Sequence, residues 1–318
     1  MPGVYPPTPG FRNIGTTTMR YIPELYSGKL LVKFYAATVF GSIANTDYEG
    51  EIKQQGDTVY IRSVPNIIIR EHKKGQTLVH QTPESTAVPL LIDKGRYWAF
   101  ATDDVDDAQT DIKNYHDVWT TDASEQLKIS IDRDILANVF ADAHASNQGS
   151  TAGLESSSIN LGETAAPLPL TKANILDVLV DCGTVLDEQN VPESGRYIVM
   201  APIFCGMIKK SDLKDASLAG DGTSILRNGR VGMIDRFTIY SSNLLTKTAD
   251  TFEGDAVTVF NMVFGQMTAL TFASQLVKNE NLKNPTGFGT LFRGLQVYGY
   301  EVIKPEAFGH LYAFKSAA

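Results

Sequence analysis

Two β-type arms flank the tripeptide Lys73-Lys-Gly75. The first arm covers residues 57–72 with a stop at Pro65, and the second covers residues 76–92. Gly75 makes the tripeptide a turn candidate, so the pattern predicts a long hairpin. An isolated two-stranded ribbon is marginal in water, so the hairpin must rest on another surface. We predict that another copy of the chain provides that surface.

Composition indicates a folded protein of moderate size. The chain has 318 residues, 43% of them hydrophobic and 20% charged, enough for about two domains without disulfides or metals. With 28 Lys and Arg against 36 Asp and Glu, the net charge of −8 disfavours wrapping nucleic acid by phosphate neutralisation. Cys182 and Cys205 are too few for a disulfide framework or a cysteine zinc site, and they favour a reducing compartment.

The first 20 residues are rich in proline and glycine and read as an extended arm. They lack the basic and apolar regions of a secretory signal, and no run of about 18 apolar residues follows that would span a bilayer. We therefore expect no membrane partner. Apolar residues between Leu30 and Phe40 predict a short helix that docks on the body or on a neighbour.

Residues 103–145 are predicted to be helical. The clearest part begins at Asp122, whose side chain is a capping candidate with Glu125 completing a capping-box pair. One apolar stripe follows at three- and four-residue spacing: Leu127, Ile131, Ile135, Leu136, Val139 and Phe140. The Ser/Gly-rich stretch 146–162 is predicted to be a flexible loop.

The second half has an α+β pattern. A helix is predicted from Thr171 as N-cap, with Leu170 and Ile175 as a hydrophobic staple, to near residue 190. Strands are predicted at 196–203, 236–240, 258–264, 269–273 and 294–303, with a break at 284–287.

No catalytic or metal-binding motif stands out. An acidic run lacks the glycine and glutamate of an EF-hand loop and is best explained as negative charge near a helix N-terminus: Asp103, Asp104, Asp106, Asp107 and Asp111. The five histidines have no zinc spacing and are expected at surfaces or interfaces: His72, His80, His116, His144 and His310. Residues 219–226 lack the Gly-Lys-Ser/Thr of a phosphate loop. We expect no cofactor and no enzyme activity.

An aromatic group near residue 100 has two possible interpretations. Tyr97, Trp98, Phe100 and Trp119 are either a stacking platform for bases or sugars, or core. Large apolar side chains beside strands and helices are more often core. We therefore favour core.

Local sequence resembles the coat proteins of tailed bacteriophages along nearly the whole chain. The phrases that carry the resemblance include Tyr21-Ile-Pro-Glu, Gly56-Asp-Thr-Val, Ile131-Asp-Arg-Asp-Ile-Leu, Gly195-Arg-Tyr-Ile-Val, Arg227-Asn-Gly-Arg-Val-Gly and Arg293-Gly-Leu-Gln-Val-Tyr-Gly. The order of features is similar to that of HK97-like major capsid proteins. The resemblance implies an α+β HK97-like fold and a non-enzymatic shell subunit.

The resemblance also implies a division of the chain. An N-terminal arm would cover 1–45, the E-loop hairpin and adjoining strands 46–102, a P-domain with its spine helix 103–165, an A-domain 166–255 and return strands 256–318. Assembly contacts would come from the arm and the E-loop: Tyr5, Phe11, Arg12, Arg20, Arg70, Glu71, His72, Lys73, Lys74, Gln76 and His80. Some relatives cross-link covalently through an E-loop lysine. Lys73 and Lys74 are the candidates here, and we expect no cross-link.

The implied partners are those of an icosahedral head assembled in the bacterial cytoplasm. They are further copies in pentamers and hexamers, a portal protein, a possible decoration or cement protein, and double-stranded DNA contained without sequence-specific binding. The arm-like sequence begins at residue 1, so we expect a separate scaffolding protein. An encapsulin-like compartment shares the fold. A soluble α+β enzyme with a site assembled only in space is the alternative of another class.

Overall fold

The computed structural model describes residues 35–47, 58–65, 67–109, 115–211, 232–285 and 287–316. Within these ranges the helices are α1 (Phe40–Ile43), α2 (Asp104–Gln109), α3 (Tyr115–Asn138), α4 (Ile175–Glu188) and α5 (Pro202–Ile208). The strands are β1 (Thr58–Arg62), β2 (Ala87–Leu91), β3 (Lys94–Thr102), β4 (Leu168–Leu170), β5 (Arg196–Met200), β6 (Met233–Ile234), β7 (Phe237–Ser241), β8 (Lys247–Phe252), β9 (Asp255–Gln266), β10 (Leu270–Lys283), β11 (Thr290–Val302) and β12 (Phe308–Lys315). The mixture of helices and strands confirms the predicted α+β class.

A long antiparallel sheet in the order β10-β11-β3 supports the base of the first hairpin. β10 and β11 are joined at the predicted break, where Asn284 N donates to the carbonyl of Gly289. The β1–β2 ribbon lies against this sheet, since Ile61 and Leu90 share a small core with Val297 of β11. Among the described residues, this small core anchors the ribbon at its base.

A seven-stranded mixed sheet forms the centre of the second half. Its order is β4-β12-β9-β5-β7-β6, and β8 pairs with β9 beyond that path. All five residues of β5 are buried, which places this strand in the middle of the core. The main core joins this sheet to the helices through residues such as Phe204, Phe237 and Phe264.

The long helix α3 has the predicted apolar stripe but not the predicted start. Ile131, Ile135 and Leu136 are fully buried, which confirms the stripe. The cap at Asp122 was wrong, because the helix begins at Tyr115 and Asp122 lies inside it, where its carboxylate accepts from the Tyr35 hydroxyl at 2.9 Å. No helix in the described ranges is long and apolar enough to cross a membrane.

Helix α4 begins later than predicted, because it starts at Ile175 and its N-cap is Asn174 and not Thr171. Thr171 Oγ1 accepts from Asn174 N at 3.3 Å, and Asn174 Oδ1 accepts from Thr171 N at 2.8 Å, so the two residues close the turn that precedes the helix. The strand predicted at 196–203 was too long. It ends at Met200 because Pro202 begins α5, where a proline in the first turn loses no hydrogen bond.

The Ser/Gly-rich stretch 146–162 is a loop, but it is anchored rather than flexible. Ala152 and Ile159 exchange backbone hydrogen bonds of 2.7 and 3.1 Å, and the carbonyl of Leu161 accepts from Tyr312 N. A Cβ on Gly162 would lie 2.0 Å from the carbonyl oxygen of Tyr312. Close packing against β12 therefore fixes this segment.

Candidate functional site

The loop between β1 and β2 extends from a short ladder. Strand pairing runs from Thr58 opposite Leu91 to Arg62 opposite Ala87. Ser63 N then donates to the carbonyl of Thr86 at 2.8 Å. Beyond this pair, the described loop residues (64–65 and 67–85) contain no strand, so the prediction of two β arms was correct only at the base. Pro65 and Pro83 lack the N–H that a ladder needs.

The tip of this loop is a tight turn, as the Lys-Lys-Gly sequence predicts. Gln76 N donates to the carbonyl of Lys73 at 3.0 Å, and Lys73 N donates to the Gln76 side-chain oxygen at 3.2 Å. Gly75 has a φ of 87°, a conformation that favours glycine. The turn therefore holds Lys73 and Lys74 at the far end of the loop.

Large apolar side chains of the loop lie in water. Val64 is 92% exposed and Ile69 is 89% exposed. The set of exposed apolar residues is Val64, Ile67, Ile68, Ile69, Leu78 and Val79. We call these six residues the apolar loop set. Six large apolar side chains exposed on one loop exceed the scattered apolar residues of an ordinary surface, so the loop has the composition of an interface without its partner.

The predicted assembly residues fall into two groups. Seven lie on the loop and are exposed: Arg70, Glu71, His72, Lys73, Lys74, Gln76 and His80. The other four lie outside the described residues: Tyr5, Phe11, Arg12 and Arg20. The predicted assembly residues are mostly polar or charged and include none of the apolar loop set. The sequence signal for the apolar loop set is the run Ile67-Ile68-Ile69. No described neighbouring strand covers this run.

Asp134 of α3 ties the long helix to the sheet under the loop. Its carboxylate accepts from Lys94 Nζ at 3.0 Å and from the Tyr298 hydroxyl at 2.9 Å. Lys94 Nζ also donates to the Tyr300 hydroxyl at 2.7 Å. Partial burial opposes the charge on Lys94, but the hydrogen bonds to Tyr300 and Asp134 raise its pKa. The charge network fixes where β3 and β11 lie on α3.

The aromatic residues near position 100 are a partly exposed surface cluster, so the core interpretation was wrong. Phe100 stacks on Phe292 with ring centroids 5.1 Å apart and meets the edge of Trp119 at 5.7 Å. Tyr97 is 79% exposed and Trp119 is 43% exposed. Trp119 of α3 covers part of the Phe100 face of β3, whereas Tyr97 lies on the opposite face of the strand and is exposed.

The start of the acidic run lies at a helix N-terminus, as predicted for Asp103, and two of the histidines form hydrogen bonds within the chain. Asp103 Oδ1 accepts from Val105 N at 2.8 Å at the start of α2, and no group of potential metal ligands occurs among the described residues. His144 accepts from Ser146 N, and His310 is bonded to Asn261. Both are partly buried, and their assignment to a surface or interface stays a prediction.

Comparisons with known proteins give a consistent structural result. No protein-family model matches the sequence, and no curated protein matches it. A structure from Mycobacterium phage Che8 is similar, with a TM-score of 0.71 and 26% identity, covering 92% of this chain and 97% of that chain. The capsid structure of cyanophage P-SCSP1u has a TM-score of 0.71 at 17% identity, covering 93% of this chain and 94% of that chain.

A third structure extends the likeness. The mature capsid of bacteriophage PhiM1 has a TM-score of 0.66 at 15% identity and covers 93% of each chain. Each of the three matches extends along more than nine-tenths of this chain. The chain has the HK97-like fold and resembles the major capsid proteins of tailed bacteriophages.

Proposed function

We propose that this chain is the major capsid protein of a tailed bacteriophage. Copies would form pentamers and hexamers that close into an icosahedral head around double-stranded DNA. The likeness to phage structures along more than nine-tenths of the chain supports the proposal. In the terms of that fold, the β1–β2 loop is the E-loop and α3 is the spine helix.

The exposed loop is the observation that carries the proposal. Burying one large aliphatic side chain is worth about 1.5–3 kcal/mol, and the apolar loop set leaves six such side chains in water. A neighbouring copy that covers the loop recovers this free energy. Under closed symmetry the same contact is repeated at every subunit, so modest interfaces sum to a stable shell.

The negative net charge of the subunit is consistent with a shell that encloses DNA without binding it tightly. At −8, the subunit repels phosphate on average, and a strongly basic inner wall would trap DNA instead of confining it. We propose that the DNA is held by the closed shell and not by sequence-specific contacts. The Lys and Arg residues of the loop then serve contacts between copies.

We further propose the partners that a phage head requires. A scaffolding protein would guide assembly in the bacterial cytoplasm, a portal protein would occupy one vertex, and a decoration protein is an optional addition. The encapsulin-like alternative uses the same fold but encloses enzymes. The contents of native particles distinguish the two functions.

Electron microscopy of the recombinant protein, with size-exclusion chromatography, tests the proposal. Closed shells, or capsomers that become shells when the neighbouring phage genes are co-expressed, are the expected result. DNA inside native particles supports a phage head, and enzyme cargo supports an encapsulin. A compact monomer under every condition would contradict both and favour an enzyme.

Deleting residues 67–81 isolates the role of the loop. We expect a folded subunit that forms no closed shells, because the ladder of β1 and β2 lies outside the deletion. Circular dichroism verifies the fold and microscopy counts the shells. Normal particles from the deletion variant would remove the assembly role of the loop.

A further inference from the structure

A cavity of about 520 Å³ opens beside β9 and β12 on one face of the seven-stranded sheet. Its size lies within the usual range for small-molecule sites. Asn261 is directly opposite Tyr312 in the strand register, and His310 lies two residues along, so the three side chains share a face. The residues that define the chemistry of the cavity are Phe140, Gln148, Glu163, Asn261, His310 and Tyr312.

The hydrogen bonds of Asn261 fix the tautomer of His310. Asn261 Nδ2 donates to the carbonyl of Thr246 at 3.2 Å and to Thr248 Oγ1 at 3.0 Å. A carbonyl can only accept, so Asn261 Oδ1 is the atom that faces His310 Nε2 at 3.1 Å. His310 Nε2 therefore carries the proton, and Nδ1 is an acceptor. Burial lowers the pKa of His310 to about 4, so the ring stays neutral at ordinary pH.

The cavity combines this acceptor with a negative charge and aromatic faces. Glu163 is the charged side chain among the described lining residues, and its carboxylate accepts from Ser150 Oγ at 3.1 Å. The His310 ring stacks on Phe140 with centroids 5.0 Å apart and lies 5.9 Å from the ring of Tyr312. A carboxylate beside aromatic faces attracts organic cations, which pair with the charge and lie against the rings.

We propose that this cavity binds an organic cation, a guanidinium or alkylammonium group, with Glu163 as its counter-ion. His310 and Gln148 supply neutral acceptors, and Phe140 and Tyr312 supply the aromatic walls. An anion is disfavoured because no Lys or Arg occurs among the described residues that line the cavity. The cation has two possible sources, a free small amine or a basic side chain of another protein chain.

Calorimetric titration of the unassembled subunit tests the site. The probe is argininamide and the matched probe is citrullinamide, both N-acetylated, so that the guanidinium is the sole charge of the first and the second, of nearly the same shape, is neutral. Inorganic phosphate tests the opposite sign. The variant is Glu163→Gln, an exposed position, and the control is Glu84→Gln, the same change on the distant loop.

We expect argininamide to bind and citrullinamide and phosphate to bind at least about tenfold more weakly, since a charge-assisted hydrogen bond is worth about 1.5–3 kcal/mol. Glu163→Gln lowers the argininamide affinity by a similar factor, and Glu84→Gln leaves it unchanged. Equal binding of the two probes, an unchanged affinity in Glu163→Gln, or no saturable binding would overturn the proposal.

Titration of closed shells distinguishes the two sources of the cation. This part of the test, unlike the titration of the subunit, rests on the proposed function. If a basic side chain of a neighbouring chain fills the cavity, argininamide binds free subunits but not shells. If the natural ligand is a free amine, argininamide binds both. A protein that forms no shells would contradict the proposed function, while the titration of the subunit would still decide the site.

Discussion

The carboxylate of Asp132 accepts a hydrogen bond from the backbone nitrogen of Phe40 at 3.0 Å, although 92 residues separate them. The second carboxylate oxygen accepts from Val39 N at 3.2 Å. Asp132 is fully buried on α3, and α1 has only four residues, too few to be stable alone. The long helix therefore supplies the cap that holds the start of α1.

Replacing Asp132 with alanine tests this anchor. Asp132→Ala leaves two backbone N–H groups near the core without acceptors, and an unsatisfied buried donor costs about 1–3 kcal/mol. We expect a loss of about 2 kcal/mol in the free energy of unfolding, after the gain from removing a buried carboxylate. Urea denaturation of the subunit measures this loss in the free energy of unfolding. Asp142→Ala, an exposed site nearby, is the control, and equal losses in the two variants would contradict the anchor.

The same carboxyl group predicts a pH dependence. Burial raises the pKa of Asp132 to about 6, against the hydrogen bonds from Val39 and Phe40, which lower it. The ordinary value in an unfolded chain is about 3.9, so between about pH 4 and pH 6 the folded state holds a proton that the unfolded state has released. The contribution of Asp132 to stability is therefore greatest below about pH 4 and falls until about pH 6.

Denaturation of the wild type and Asp132→Asn across this interval isolates the effect. The wild type loses stability relative to Asp132→Asn as the pH rises from 4 to 6, because the asparagine does not titrate. Above about pH 7 the difference is constant. A difference that does not change with pH would show that Asp132 titrates near its ordinary pKa.

Alanine substitutions at Gly162 and Gly254 distinguish the cost of a strained backbone from the cost of a steric clash. Both have positive φ, 81° and 93°, but a Cβ at Gly162 would meet the carbonyl oxygen of Tyr312 at 2.0 Å, whereas none of the described residues lies within 4 Å at Gly254. Gly254→Ala should cost about 1 kcal/mol from the left-handed backbone alone. Gly162→Ala should cost more than about 3 kcal/mol, because β12 must move. Thermal unfolding of both variants tests the ranking.

The apolar loop set should govern assembly without affecting the subunit. Ile69→Ser removes one exposed side chain, so we expect an unchanged melting temperature and fewer closed shells at the same concentration. Leu154→Ser, 51% exposed and away from the loop, should leave assembly unchanged. Light scattering measures assembly. A lower melting temperature for Ile69→Ser would mean that the residue stabilises its own subunit.

We predict that the two lysines at the loop tip, Lys73 and Lys74, form no covalent cross-link between subunits. Boiled shells should run as monomers on a denaturing gel. Covalent ladders that disappear in Lys73→Arg or Lys74→Arg would contradict the prediction and identify the reacting residue. Arginine keeps the charge but is not an amine nucleophile, so assembly itself should survive the change.

Local patterns in the sequence determined several elements correctly. The spacing of Ile131 and Ile135 gave the buried stripe of α3, and Gly75 gave the turn at the loop tip. Each of these depends on residues within a few positions of one another. Such signals survive in a single sequence because the helix and the turn each have a fixed short-range geometry.

One strand that is buried on both faces was missed, although β5, which is buried in the same way, was predicted. β12 was not predicted, although it lies between β4 and β9 in the sheet. Phe308, Leu311 and Ala313 are all buried, so the strand lacks the alternation of exposed and buried residues that marks a strand at a surface. Its place between a parallel and an antiparallel neighbour follows from packing alone.

The amino-acid sequence by itself determined the α+β class, the long helix, the turn at the loop tip and the resemblance to capsid proteins. Only the tertiary structure decided which distant groups meet: Asp132 with Phe40, His310 with Asn261, and Asp134 with Lys94. It also decided that the loop would keep its isoleucines in water. The physical reason is that partners far apart in sequence are chosen by how whole elements pack, and no spacing within the chain encodes that choice.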